Sequence, residues 1–159
     1  MSSSHIAYIG IGSNISPEEY IIRGVDLLRK AVTLEAASSI WETPPVGGQG
    51  GNFLNAVVRV RTDLGADELV RKVLKPIEAR LGRVRTAEPN SPRTIDLDIL
   101  IYDQEVMDPS LWELTHICVP LAEINPDYTK PDASVSVASV ADRLRRISPI
   151  MLRYDVHIN

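Results

Sequence analysis

Two aspartates stand inside an otherwise apolar run, and this feature constrains the fold more than any other in the chain. The run covers residues 91–103 and reads SPRTIDLDILIYD. Because successive side chains of a strand alternate between faces, Asp96 and Asp98 are predicted to share one face, with their Cα atoms roughly 6.5–7 Å apart. The opposite, core-facing side would be formed by Ile95, Leu97, Ile99 and Ile101.

Paired carboxylates on one face of a strand favour a bound divalent cation, since carboxylates are costly to bury without a metal or a cationic partner. Arg93 lies just upstream and carries a planar, permanently charged group suited to phosphate. Two other interpretations stay open at this point. One is a solvated acidic face on an edge strand, with Arg93 as a salt-bridge partner. The other is a stabilising calcium site, although the further oxygen ligands that calcium needs are not evident nearby.

Length and composition predict a single domain over residues 1–159, large enough to fold without a disulfide or a structural metal. The net charge of −4 argues against a nucleic-acid-binding protein, although 13 of the 17 basic residues are arginine. Cys118 is the only cysteine and lies in an apolar stretch, which is typical of a small buried side chain. A long apolar segment and a signal-peptide pattern are both missing. We therefore expect a cytoplasmic protein with no membrane partner.

The first half of the chain predicts a strand, a helix and two further strands. Residues 6–12 form a short apolar strand, and Ser16 is the expected N-cap of a helix that places Pro17 in its first turn. A second strand is predicted over 34–43 and a third over 53–62, where apolar and polar residues alternate. The four glycines within 46–52 predict a loop between these strands, and such loops often carry function.

The second half predicts a helix over 66–81 that ends at Gly82, followed by the acidic strand. Pro76 is a candidate for a kink in that helix. The order strand, helix, strand, strand, helix, strand is typical of an α+β ferredoxin-like βαββαβ sandwich, with a mainly antiparallel sheet and both helices on one face. A C-terminal helix over 137–146 and a strand near 151–157 are predicted as additions.

Seven short motifs, in order, resemble those of the 6-hydroxymethyl-7,8-dihydropterin pyrophosphokinases, which move pyrophosphate from ATP to a pterin alcohol in folate biosynthesis. The resemblance runs from about Tyr8 to about Pro126. The motifs are GSN at 12–14, SSIWETPP at 38–45, FLNA at 53–56, IE at 77–78, GRVR at 82–85, PRTIDLD at 92–98 and PLAEI at 120–124.

The resemblance implies a transferase with ATP as co-substrate and two magnesium ions as cofactors. Asp96 and Asp98 match the family's magnesium ligands. Arg83, Arg85 and Arg93 match its triphosphate contacts and would act in catalysis. Such a site works by positioning and electrostatics, without a covalent intermediate.

The same resemblance implies which residues bind the remaining parts of the substrates. Glu78 matches a residue on the nucleotide side. Thr43, Pro44, Pro45 and Asn55 match the pterin pocket, and Phe53 matches the aromatic ring that stacks on the pterin. The implied partners are therefore small molecules, ATP and a reduced pterin, rather than nucleic acid.

The chain departs from the family pattern after the acidic strand. The family has a long catalytic loop there, with a Pro-His-Pro motif and then an arginine, whereas only residues 104–119 separate Asp103 from Pro120. His116 is either the remnant of the Pro-His element or the second stacking ring. A shortened loop leaves two alternatives to an active enzyme: a catalytically weakened pterin- or nucleotide-binding paralogue, and a regulatory ferredoxin-like ligand-binding module.

Overall fold

The computed structural model describes residues 4–45, 47, 50–84, 86–88, 92–131 and 134–159. Strand β1 (His5–Ser13) precedes helix α1 (Pro17–Ala31), and the strands β2 (Thr33–Ala37), β3 (Ile40–Thr43) and β4 (Phe53–Thr62) follow. Helix α2 consists of the stretches Ala66–Leu69, Val70–Leu74 and Lys75–Arg80. The remaining elements are β5 (Asp96–Tyr102), β6 (Glu105–Val106), the 3-10 turn Pro109–Trp112, α3 (Thr115–Ile124), α4 (Val137–Ile147) and β7 (Met151–Arg153).

The strands form one antiparallel sheet in the order β6-β5-β1-β4-β3-β7, with β2 also paired to β4. This is the predicted ferredoxin-like α+β arrangement with C-terminal elements added. The predicted third strand coincides with β4. Among the described residues, no helix is both long and apolar enough to cross a lipid bilayer.

Each face of the sheet packs against its own apolar core. The first core joins the sheet to the buried stripes of α1 and α2, such as Ile21, Leu28 and Leu74, which confirms that both predicted helices share one face. The second core lies on the opposite face and is formed with α3 and α4, through residues such as Leu121 and Leu144. Helix α3 therefore covers the sheet face that the predicted βαββαβ unit alone leaves open.

Several sequence predictions need correction. The predicted strand over 34–43 is two strands, because the pairing with β4 shifts by one residue between Ala37 and Trp41. At this break Ser38 Oγ accepts a hydrogen bond from the Val57 N–H at 2.9 Å. Ser16 precedes α1 with a left-handed φ of 42°, and its side chain does not cap the helix. The last strand ends at Arg153 instead of His157.

Strand β5 changes face partway along its length. Tyr8 of β1 pairs with Ile101, whereas Ile9 pairs with Ile99, so Leu100 is an extra residue in β5. Ile99 packs in the first core, as predicted, but Ile101 packs in the second. The prediction of a common face for 95, 97, 99 and 101 is therefore correct only up to residue 99.

A Schellman motif at the end of helix α2 directs the following segment toward the acidic strand β5. A wide turn precedes Pro76, where the N–H of Lys75 donates to the carbonyl of Val70, and the helix then continues to Arg80. At its end Gly82 has a φ of 83° and donates to Ala79 at 3.1 Å, while Arg83 donates to the Glu78 carbonyl at 3.0 Å. This is a Schellman motif, and it confirms Gly82 as the predicted stop.

Gly24 of α1 packs directly against Ile95 of the first core, and this contact leads to a stability prediction. A methyl group at Gly24 would overlap Cδ1 of Ile95 in the first core. We expect Gly24→Ala to destabilise the protein by about 1 kcal/mol, because overpacking outweighs the gain in helix propensity. In an Ile95→Val background, which lacks that methyl group, the same substitution should instead stabilise. Urea unfolding of the four proteins measures this, and equal effects of Gly24→Ala in both backgrounds would contradict it.

Candidate active site

A cavity of about 260 Å³ opens on the second-core face of the sheet, above β1, β4 and β5. Two glycines of β1 keep it open. A Cβ on Gly10 would lie 3.3 Å from Leu100 Cδ2, and one on Gly12 would lie 3.7 Å from Phe53 Cδ1. Because Gly10 pairs with Asp98 and Gly12 with Asp96, the missing side chains leave space directly beside both carboxylates.

The two aspartates have different surroundings. Asp96 is held by two arginines: its Oδ1 lies 2.7 Å from Nη1 of Arg83, and its Oδ2 lies 3.3 Å from Nη1 of Arg93. Asp98 is exposed to the cavity, and within the described ranges no hydrogen bond or ion pair reaches its carboxylate. The structure thus places one neutralised and one uncompensated carboxylate on the same face of β5, as predicted.

The surroundings of Asp98 disfavour its charge. Partial removal from water, the neighbouring Asp96 and the carboxylate of Glu78 together raise the pKa of Asp98 to about 7. A cation placed between Asp96 and Asp98 would reverse this effect. The cavity therefore supplies two carboxylate ligands whose mutual repulsion a divalent ion would relieve.

The raised pKa predicts how stability depends on pH in the absence of metal. Between about pH 4 and pH 7 the unfolded chain releases the Asp98 proton while the folded chain retains it, so stability falls as pH rises through this window. We expect Asp98→Asn to remove this loss. Asp98→Asn should therefore be more stable than wild type, and its gain in free energy of unfolding should be about 1 kcal/mol larger at pH 8 than at pH 4. The difference is smaller than the full pKa shift would give, because Asp98 is exposed to the cavity.

Urea unfolding in a chelator at both pH values measures that difference, and equal values at the two pH values would contradict the prediction. Asp103→Asn is the matched control. The Ile6 N–H and His5 lower the pKa of Asp103, so its loss should cost more stability at pH 8 than at pH 4, the opposite sign.

Glu78 and Arg83 lie beneath the acidic strand. The Glu78 side chain is 3% exposed, and its Oε2 accepts a hydrogen bond from the Leu97 N–H at 2.8 Å. Arg83 is 10% exposed and also donates to the Ile95 carbonyl at 3.0 Å. Both residues thus hold β5 in place, and neither lines the cavity. Arg85, a third predicted contact, lies outside the described residues.

Arg93 connects the acidic strand with the apolar end of the cavity. Its guanidinium carbon lies 5.8 Å from the centre of the Phe53 ring, while its Nη1 faces Asp96. A cation over an aromatic face is a favourable arrangement. Arg93 and Phe53 therefore form one continuous wall of the cavity.

Asn55 and Thr43 form a buried polar pair behind Phe53. Asn55 Nδ2 donates to Thr43 Oγ1 at 2.9 Å and to the Trp41 carbonyl at 3.1 Å, so both amide hydrogens are used within the protein. Asn55 itself lines the cavity, whereas Thr43 stands one step behind it. The structure places Pro44 and Pro45 directly after β3, outside the cavity lining.

The start of α3 forms the opposite wall through Leu114, His116 and Ile117. Burial lowers the pKa of His116, and the charges of Asp96 and Asp108 only partly oppose this effect. The shortened segment 104–119 is thus folded against the cavity as a hairpin, a 3-10 turn and the first turn of a helix. No helix is predicted from the sequence in this segment.

Of the predicted site residues, six line one cavity: Phe53, Asn55, Arg93, Asp96, Asp98 and His116. Gly10, Leu114 and Ile117 also line the cavity and were not predicted from the sequence. Only the glycines carry a sequence signal that would have been usable, because Gly10 and Gly12 alternate in a strand and so share a face.

The antiparallel sheet and this cavity define a ferredoxin-like α+β protein in which one face of the sheet carries a cavity that can hold a ligand. The family model of the 7,8-dihydro-6-hydroxymethylpterin-pyrophosphokinases matches residues 8–126. The chain belongs to this family.

Two relatives carry the name 2-amino-4-hydroxy-6-hydroxymethyldihydropteridine pyrophosphokinase. The protein of Bacillus subtilis is 41% identical over 143 residues, which cover 82% of this chain and 84% of the relative. That of Aquifex aeolicus is 34% identical over 134 residues, covering 78% and 82%. The crystal structure of wild-type Plasmodium falciparum HPPK-DHPS with pteroate shares the fold, with a TM-score of 0.72 and 12% identity over 92% of this chain. This chain spans 44% of that longer protein.

Proposed function

We propose that this protein transfers the pyrophosphoryl group of ATP to the hydroxymethyl oxygen of 6-hydroxymethyl-7,8-dihydropterin, with release of AMP, as a step of folate biosynthesis. One observation carries the proposal: a single cavity joins an aromatic and amide end, at Phe53 and Asn55, to a carboxylate and arginine end, at Asp96, Asp98 and Arg93. A flat heterocycle fits the first end and a metal-bound polyphosphate the second. Membership of the pyrophosphokinase family supports the same reaction.

The carboxylate oxygens of Asp96 and Asp98 are suitable ligands for magnesium. ATP would be the co-substrate. Magnesium prefers oxygen ligands and is usually held by one or two carboxylates together with substrate phosphates and water. Asp96 and Asp98 would hold it, and the described residues contain no third carboxylate, histidine or cysteine grouped with them. Two ions would neutralise the triphosphate charge. A bound ion would compete with Arg83 and Arg93 for the Asp96 carboxylate, and arginine groups released in this way would be available for phosphate.

The remaining residues of this chain would position the two substrates. Arg93 would bind the transferring phosphates, and Arg83 and Arg85 would complete the positive charge around them. Glu78 would act on the nucleotide side by fixing the Leu97 N–H and the neighbouring Arg83. The hydroxyl oxygen of the pterin would attack the β-phosphorus, the bond from that phosphorus to the AMP oxygen would break, and the hydroxyl proton would pass to water.

The pterin would occupy the apolar end of the cavity. Phe53 would stack on one face of the ring, and Asn55 would bind its polar edge through Oδ1, since Thr43 and Trp41 already use the amide hydrogens. Thr43, Pro44 and Pro45 would shape the rim of this pocket. We propose the whole chain as one domain and retain a cytoplasmic location, which the single buried Cys118 supports.

His116 is expected to stack on the pterin instead of binding phosphate, because burial keeps its imidazole neutral and it faces the same cavity as Phe53. His116→Ala should weaken pterin binding about tenfold, as for loss of one aromatic stacking partner. His116→Phe should retain the affinity. Titration calorimetry with the pterin measures both. A loss of turnover with unchanged pterin affinity would instead place His116 at the phosphates, and no change in either would make it a scaffold residue.

The test of the proposed function is AMP formation from ATP, magnesium and 6-hydroxymethyl-7,8-dihydropterin. We expect AMP to appear only when the pterin is present, with the pterin pyrophosphate as the second product. Binding of the pterin without AMP would favour the catalytically weakened paralogue. Binding of neither substrate would favour a regulatory module.

A further inference from the structure

We propose that Asn14 is a positioning residue that ties the glycine-rich loop to Arg93, so that the pterin end and the phosphate end of the cavity are set by one side chain. This proposal rests on the proposed function for its kinetic readout. Asn14 directly follows β1 and is 7% exposed. It does not line the cavity and carries no role in the reaction assigned above.

The contacts of Asn14 on one side fix the main chain at Arg93. The Asn14 N–H donates to the Arg93 carbonyl at 3.1 Å, and the Arg93 N–H donates to Asn14 Oδ1 at 2.7 Å. Two reciprocal bonds determine both the position and the orientation of one residue. The Arg93 side chain leaves from this anchored point to reach Asp96 and Phe53.

The contacts of Asn14 on the other side hold the end of the glycine-rich loop. Its Nδ2 donates to the Gly51 carbonyl at 3.4 Å. Gly50 has a φ of 78°, and a Cβ there would lie 3.0 Å from Asn14 Nδ2 and 2.9 Å from Pro92 Cγ. The loop, Asn14 and the segment that begins at Pro92 therefore meet with no space for another side chain.

The chemistry of this junction requires an amide at position 14. The Arg93 N–H can only donate and the Gly51 carbonyl can only accept, so the residue between them needs an acceptor and a donor at the same reach. Asparagine provides both on one rigid group. Aspartate keeps the acceptor and loses the donor, and alanine loses both.

These differences allow the two connections to be separated by kinetics. We expect Asn14→Ala to lower kcat at least about tenfold and to raise the KM for the pterin, because the Arg93 N–H and the Gly51 carbonyl both lose the Asn14 side chain and only the main-chain bond to Arg93 remains. Asn14→Asp should raise the pterin KM while keeping kcat within about threefold of wild type. A residue that only supported the fold would lower the melting temperature without this division between kcat and KM.

Asn52→Ala is the matched control. Asn52 lies on the same loop, where its Nδ2 donates to Glu42 at 2.8 Å and not to the Arg93 main chain. We expect no change in kcat for this variant. If Asn14→Ala fails to fold, Gly50→Ala disturbs the same junction from the loop side, and it should lower kcat and raise the pterin KM together.

Amide hydrogen exchange without substrates separates failure of this inference from failure of the proposed function. Exchange at the Arg93 amide should accelerate at least about tenfold in Asn14→Ala and remain slow in Asn14→Asp and Asn52→Ala. Wild-type protein that forms no AMP would overturn the proposed function while leaving this measurement valid. Unchanged exchange in Asn14→Ala, or an unchanged kcat in an active enzyme, would overturn the role of Asn14.

Discussion

Asp98→Ala and Asp96→Ala should each lower pterin-dependent AMP formation by about 10²–10³-fold, the loss expected when a preorganised group that stabilises transition-state charge is removed. Both carboxylates face one cavity, and a metal-bound triphosphate would need both as ligands. The rate of AMP formation should be measured over a range of magnesium concentrations. High magnesium should restore part of the lost rate if the variants weaken metal binding.

Substitutions at Asp96 and Asp98 should have different effects on the stability of the fold, although both should lower activity. Asp96 is paired with Arg83 and Arg93, so Asp96→Asn should destabilise the fold by removing a carboxylate charge from beside two partly buried guanidinium groups. Around Asp98, desolvation and the neighbouring carboxylates outweigh the opposite charge of Lys75, so Asp98→Asn should lose activity without losing stability. Asp103→Ala, which removes an aspartate that directly follows the same strand, is the control that should keep its activity. Full activity in Asp98→Ala would rule out the metal site.

Arg93→Ala is expected to lower kcat by about 10³-fold, since an arginine at a transferring phosphoryl group contributes rate factors of this size. The side chain is 18% exposed and already spans the distance between the acidic strand and Phe53. Arg93→Lys keeps the charge but loses the planar fork, so it should recover only a part of the rate. Single-turnover measurements of AMP formation would isolate the chemical step.

Arg59→Ala is the matched control for Arg93, because Arg59 forms an ion pair with Glu35 at 3.0 Å, near β2 and away from the cavity. Its activity should match that of wild type. If Arg93→Ala raises the KM for the pterin while kcat stays intact, Arg93 serves as a wall of the pterin pocket and not as a phosphate ligand.

The elements predicted well from the sequence are those whose side-chain pattern has a single regular period. Strand β4 coincides with its prediction, which rested on the alternation of valine and arginine over 58–61, and the apolar stripe of α1 is buried as expected. Strand β5 was predicted only in part, because an extra residue at Leu100 resets the alternation. A bulge depends on the partner strand, and one strand's sequence does not show it.

Helix α3 illustrates a different limit. It contains Pro120 and is apolar on most sides, so neither a clean stripe nor an uninterrupted helical run marks it in the sequence. Its position is determined by tertiary contacts: Glu123 accepts hydrogen bonds from the Ser39 N–H at 3.2 Å and from Trp41 Nε1 at 2.5 Å. These bonds fasten α3 to the break between β2 and β3.

The candidate site was predictable where residue types carry the chemistry, as at Asp96, Asp98 and Arg93. The shape of the site was not predictable where it depends on which residues of neighbouring strands pair with each other. The space beside the carboxylates arises because Gly10 and Gly12 pair with Asp98 and Asp96. The role of Asn14 depends on three segments that are distant in sequence and meet only in the fold.

The glycine pair of β1 has a consequence for inhibitor design. The floor of the cavity between Gly10 and Gly12 is bare main chain, whose shape does not depend on side-chain rotamers. A methyl group at either position would project into the space beside the carboxylates. A substitution at Gly10 or Gly12 that excluded an inhibitor would therefore also reduce the space available to the protein's own substrates. A compound that packs flat against the β1 backbone would contact a surface that the enzyme cannot alter without impairing itself.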